Sequence, residues 1–160
     1  MKLTLAEPKY FKDSITIISE LVNEARFKIT KNAMELVAMD PANVAMVVFK
    51  LLSSTFVEYE VDKEMELGVN LVDLKQVMRR AKSNDTVSIE VTSENKIQIT
   101  FKGANTRTFS LPIIELEDKE QKVPDLNFPV TVSTSSKNLS EAVEDVDIVA
   151  ESVMFISEPD

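Results

Sequence analysis

Four cations crowd into eight residues: Lys75, Arg79, Arg80 and Lys82. Lys75, Arg79 and Lys82 follow one another at spacings of four and three, which on a helix sets them on one face about 60° wide. Asp73 is the only acid between residues 72 and 82. Lys9 and Lys12 lie on the polar side of an earlier helical pattern. A basic face of this kind, without interleaved aromatics, glycines or a recognition motif, suits a phosphate backbone and not the reading of base edges. The competing reading is an ordinary solvated helix surface.

Other chemistry is largely excluded. The 160 residues contain no His, no Cys and no Trp, and only two glycines, Gly68 and Gly103. Catalysis by His or Cys and the usual zinc sites therefore fall away. A P-loop or dinucleotide fingerprint needs more glycines than two. The carboxylates Glu117, Asp118 and Glu120, and the pair Asp145 and Asp147, have no calcium-loop spacing and read as a solvated charge run. No cofactor or metal is implied, and no catalytic role.

Two further features suit binding. Residues 115–127 are charged and place Leu116, Val123, Pro124 and Leu126 among acids. This stretch reads as a spacer, or as a docking strip with apolar anchors and a charged rim. Met39 and Met46 flank Asp40-Pro41-Ala42-Asn43-Val44-Ala45. They read as core, although flexible Met also serves surfaces that accept varied peptides. The longest apolar run, Val44–Phe49, is far short of the roughly 20 residues that span a membrane. With no signal-peptide pattern, the expectation is an intracellular protein, cytoplasmic or nuclear according to its source.

The elements that must position these residues follow from periodicity. Leu3-Thr4-Leu5 alternates as a strand, and Phe11, Ile15, Ile18 and Val22 form one apolar stripe, predicting a helix over 9–23. Phe27 and Ile29, then Glu35–Met39, Val44–Leu52 and Phe56–Val61, read as strands. The pattern restarts with a strand at Leu67–Asn70 and a helix over 72–82, capped by Asn70 or Asp73. Alternation at Val87–Val91, Ile97–Phe101 and Phe109–Ile113 gives three more strands. The first 114 residues are thus two similar halves of one strand, one helix and about three strands. That is an α+β layout with antiparallel hairpins and helices covering a sheet face. Residues 1–114 carry no net charge, and residues 115–160 supply the whole formal charge of −9.

The start of the pattern returns at an offset of 127 residues. Leu3-Thr4-Leu5 falls on Val130-Thr131-Val132, Phe27 on Met154 and Ile29 on Ile156, with a helix expected over 137–149. Residues 1–114 are expected to be a first domain, 115–127 a connector, and 128–160 the strand–helix–strand opening of a second domain of the same type.

Several stretches carry a family resemblance. Leu36-Val37-Ala38-Met39-Asp40-Pro41 with Val44, Leu67-Gly68-Val69-Asn70-Leu71 before the basic helix, and Thr106-Arg107-Thr108-Phe109-Ser110-Leu111-Pro112-Ile113-Ile114 occur in order. With Asn23-Glu24-Ala25 and the acidic connector, they resemble proliferating cell nuclear antigen, the DNA sliding clamp, in an archaeal-like form. The resemblance implies a clamp fold of repeated βαβββ units, with sheets outside and helices lining a central hole. It implies a homotrimeric ring around duplex DNA that tethers a DNA polymerase, with clamp loader, flap endonuclease and ligase as further partners. By position, Lys12, Lys75, Arg79, Arg80 and Lys82 would face DNA. Met39, Val44, Val123, Pro124 and Leu126 would help form a partner-peptide pocket. Arg107, Thr108, Phe109, Ser110 and Leu111 would lie on the strand that meets a neighbouring subunit. The family's pairing strand for 106–114 would fall beyond Asp160, so this chain alone is not expected to close a ring. A non-encircling adaptor that uses the acidic strip is the alternative. The helix at 137–149 departs from the family expectation, carrying Lys137 against Glu141, Glu144, Asp145 and Asp147.

Overall fold

The computed structural model describes residues 1–116 and 121–158. The calls on Glu117, Asp118 and Glu120 lie outside them. The chain divides into two compact units, Met1–Val123 and Pro124–Asp160.

The first unit runs β1 (Lys2–Leu5), α1 (Lys9–Leu21), β2 (Glu24–Ile29), β3 (Ala33–Met39), β4 (Met46–Leu52), a 3-10 turn at Ser53–Thr55, and β5 (Glu58–Glu60). It continues with β6 (Met65–Asn70), α2 (Leu71–Met78), β7 (Thr86–Val91), β8 (Lys96–Lys102) and β9 (Thr106–Pro112). All ladders are antiparallel.

The two halves exchange their first strands. β1 pairs with β7 of the other half on one side and keeps β5 of its own half on the other, giving a sheet of order β5-β1-β7-β8-β9. β6 pairs with β2, giving the order β4-β3-β2-β6. Each half therefore completes the other's sheet. Alternation decides which faces turn inward: Ala25, Phe27 and Ile29 on β2, and Ile97, Ile99 and Phe101 on β8, are buried. They form one cluster with Phe11, Ile15 and Ile18 of α1 and Leu71, Leu74 and Met78 of α2.

The sheets also meet at a seam beyond β9. The amide of Ile114 donates to the carbonyl of Gly68 on β6 at 3.0 Å. Gly68 is required here by space: a Cβ would stand 2.1 Å from the Ile114 carbonyl oxygen. Arg26 reaches across the same seam, its Nη2 donating to the Leu116 carbonyl at 2.6 Å.

Three expectations need correction. The second helix, expected to 82, is regular only over Leu71–Met78. Asn70 does cap it, its Oδ1 accepting from the Asp73 amide at 3.0 Å. The strand expected at Phe56–Val61 shortens to Glu58–Glu60, because the 3-10 turn leads into it and Phe56 turns into the core. In the second unit, α3 (Ser136–Asp147) forms with Ser135 as its cap, but no strand forms at Val130–Val132 or Val153–Ile156. A strand exists only against a hydrogen-bonding neighbour, and the described residues of that unit offer none.

Gly68→Ala is expected to lower stability by about 1–3 kcal/mol through overpacking at the seam. A shift in the denaturant midpoint at unchanged slope checks it. An unshifted midpoint would show that the seam can open without loss.

Candidate functional site

α1 and α2 lie antiparallel. The Leu71 amide donates to the Asn23 carbonyl at 2.7 Å, where α1 ends and α2 begins. Further along, Lys75 of α2 pairs with Glu20 of α1. At the far end, Lys12 Nζ donates to the Ala81 carbonyl at 3.2 Å. Strand exchange brings this layer together, because each helix follows a strand that has crossed into the other half's sheet.

The layer carries the predicted cations, in unequal states. Lys12 and Lys75 are half-buried and committed to groups within the layer. Hydrogen bonding to Lys75 holds the Glu20 carboxyl below its ordinary pKa, the Lys75 charge reinforcing it. Lys9 pairs with Asp13 one turn on, and its ammonium is held above its ordinary pKa mainly by that hydrogen bond. Arg79, Arg80 and Lys82 are exposed.

Beyond Arg79 the cations do not continue a helical face. After Met78 the chain tightens: the Arg80 amide donates to Val77 O at 2.9 Å and the Ala81 amide to Met78 O at 3.0 Å, both three-residue contacts. The cations thus sit on a closing turn, and the even helical spacing read from the sequence holds only as far as Arg79.

A second candidate surface is the β3–β4 loop. Met39 and Met46 are opposite in the register. Between them Asp40 organises the chain: its Oδ1 accepts from the amides of Val44 at 2.7 Å and Ala45 at 2.8 Å. The Asp40 amide donates to Ala45 O, and the Asn43 amide to Asp40 O. Asn43 adopts φ 56°, a conformation Asn tolerates better than most residues. The result holds Val44 at the tip, 85% exposed. Met39 is half-buried at the base. Val123, Pro124 and Leu126 are also exposed, Val123 in the first unit and the other two in the second.

Among the described residues, β9 is an edge strand, paired with β8 alone along its length. Thr108 and Ser110 point outward and are exposed, whereas Arg107, Phe109 and Leu111 are half-buried. Phe109 packs on Phe101 with ring centroids 5.5 Å apart.

Sequence reasoning missed two organising acids, Asp40 and Asp85. Asp40 stood only as a member of a quoted motif. The only signal for Asp85 was a buried-type position just before an alternating strand.

Residues 1–122 match the family described as "Proliferating cell nuclear antigen, N-terminal domain". A DNA polymerase sliding clamp of Thermococcus gammatolerans is 38% identical over 152 residues, covering 95% of this chain and 61% of that protein. One from Pyrococcus horikoshii is 40% identical over 149 residues, covering 93% and 60%. The chain therefore spans about three-fifths of the length of these relatives. A crystal structure of PCNA from Thermococcus kodakaraensis aligns with a TM-score of 0.75 at 25% identity, over 78% of this chain and 51% of that one. A PCNA2–PCNA3 complex from Sulfolobus tokodaii shares the fold, with a TM-score of 0.85 over 94% of this chain and 61% of that one, at 24% identity.

The Asp40 carboxyl lies below its ordinary pKa, mainly because the Ala45 amide donates to it, with Val44 adding to the effect. A depressed carboxylate stabilises its loop fully above the ordinary aspartate value, and that contribution is lost as pH falls through the lower folded value. Amide exchange at Val44 and Ala45 is therefore expected to lose protection as the medium is acidified below about pH 4. In Asp40→Asn the protection should be weaker and insensitive to pH over that range. An acid response that survives Asp40→Asn would remove Asp40 as its source.

Proposed function

The chain belongs to the proliferating cell nuclear antigen family, and from that premise we propose that it acts as a subunit of a DNA polymerase sliding clamp. The observation that carries this is the match to archaeal sliding clamps along 93–95% of the chain. The proposed action is tethering, not catalysis. A ring that encircles duplex DNA keeps a bound polymerase at high effective concentration near its template.

The α1–α2 layer is the proposed DNA-facing surface. Lys12, Lys75, Arg79, Arg80 and Lys82 are its proposed contact residues, with phosphates as their targets. The exposed position of Arg79, Arg80 and Lys82 supports direct contact. The internal bonds of Lys12 and Lys75 support a weaker share. Met39 and Val44, with Val123, Pro124 and Leu126, are the proposed anchors for partner peptides. The fixed, exposed Val44 supports that assignment. Residues 107–111 of β9 are the proposed subunit-interface strand, and an edge with one free side supports it. Clamp loader, flap endonuclease and ligase are proposed partners, and a homotrimer the proposed assembly. The domain division at 114 and 127 is proposed on the sequence repeat.

The test is primer extension. The protein expressed from its full reading frame should lengthen the products of a cognate polymerase on long primed circular templates once loaded. Unchanged product length after loading would overturn the proposal. A narrower check concerns the cations: Arg79→Ala is expected to reduce the salt slope of duplex affinity by about one, the share of one phosphate contact. An unchanged slope would remove Arg79 from the DNA-facing set.

A further inference from the structure

Arg107 stands on the edge strand β9, yet its guanidinium is bound within the chain. Nη1 donates to the carbonyl of Arg80 at 2.9 Å. Nη2 donates to Asp85 Oδ2. The group also lies over the Phe101 ring, 5.3 Å from its centroid.

Asp85 is the other half of the arrangement. It is 3% exposed, and a carboxylate so buried is tolerated only when paired and hydrogen-bonded. Its Oδ2 accepts from the Lys82 amide at 2.8 Å, and its own amide donates to the Lys82 carbonyl at 3.1 Å. Gly103 closes the opposite side, since a Cβ there would stand 2.1 Å from Asp85 Oδ1.

These contacts fall on the turn that follows α2. The last carbonyls of a helix have no partner within it, and a cation near that end also favours the helix dipole. The Arg80 carbonyl lies on the turn just past α2, and Arg107 satisfies it. Asp85 meanwhile ties both backbone groups of Lys82. One ion pair thus fixes the turn that displays Arg79, Arg80 and Lys82.

We propose that Arg107 is a positioning residue, locking the basic turn after α2 through Asp85, and not one of the cations offered to an outside ligand. The competing role is a surface charge on β9 that serves whatever approaches the edge. The lock concerns this chain's own turn, so it can fail without affecting the clamp reading, and the reverse.

The test is nuclear magnetic resonance on the intact chain. A fork held by two acceptors should give resolved, slowly rotating Arg107 Nη–H signals at low temperature, and Asp85→Asn should abolish them. Arg107→Ala should speed amide exchange at Lys82 and Asp85 by about tenfold or more, while Ile99 in β8 is unchanged, since local opening is separable from global unfolding. Arg107→Lys should restore part of the protection, because an ammonium lacks the two-pronged geometry. Gly103→Ala should speed exchange at the same two amides with both charged partners intact. Exchange that rises equally at Ile99, or not at all at Lys82 and Asp85, would overturn the proposal. So would Arg107 signals indifferent to Asp85→Asn.

Discussion

The first unit rests on strands that cross between its halves, β1 with β5 one way and β6 the other. β1 must find β7, more than 80 residues away in the chain, and β6 must find β2. Neither half can complete its sheet alone, because its opening strand is used by the other. A strand without a neighbour leaves its amides and carbonyls unpaired, and inside a core that is untenable. The two helices lie side by side as a consequence of this pairing. Their mutual placement is inherited from β1 and β6, and the cations they carry are positioned from the sheets outward.

The same logic explains how much of the architecture the sequence revealed. The position of each element follows from local period: Phe11, Ile15 and Ile18 mark one helix, and Ile97, Ile99 and Phe101 one strand. The alternation of β8 was legible because both its neighbours lie in the same sheet. The strand exchange was not legible, because Leu3 and Ile89 face each other through hydrogen bonds that leave no mark on side-chain type. The end of α2 was hidden for a related reason. Arg79, Arg80 and Lys82 are good helix formers, so propensity extends the helix. What holds the chain out of the helix is a buried acid, Asp85, whose carboxylate takes the Lys82 amide three residues before it. Tertiary contact overrode local preference there. In the second unit the pattern at Val130–Val132 announces a strand, yet pattern cannot supply a partner.

The candidate site divides along the same line. Residue type was informative about exposure, as with Arg79, which lies at the surface. It said less where a side chain acts by what it holds. Arg107 was expected only as a residue of the interface strand, and its guanidinium also satisfies Arg80 and Asp85. Asp40 stood in the sequence only as part of a motif, although its carboxylate gathers the loop that presents Val44.

Counting cations also overstates the charge the helical layer shows. Lys9 faces Asp13, Lys75 faces Glu20, and Lys12 is drawn to a carbonyl. Each counterion a phosphate contact releases adds to affinity and to its salt dependence, so free cations matter and paired ones contribute less. A protein that held DNA by affinity would gain from freeing them. One that holds DNA by encircling it would not, because topology already prevents escape. Strong phosphate contacts would then act as friction against movement along the duplex. An inner layer with its lysines partly neutralised, and its exposed charge gathered on one locked turn, fits the second need. On the clamp reading, the acids Asp13 and Glu20 belong to the design of the surface as much as the basic residues they face.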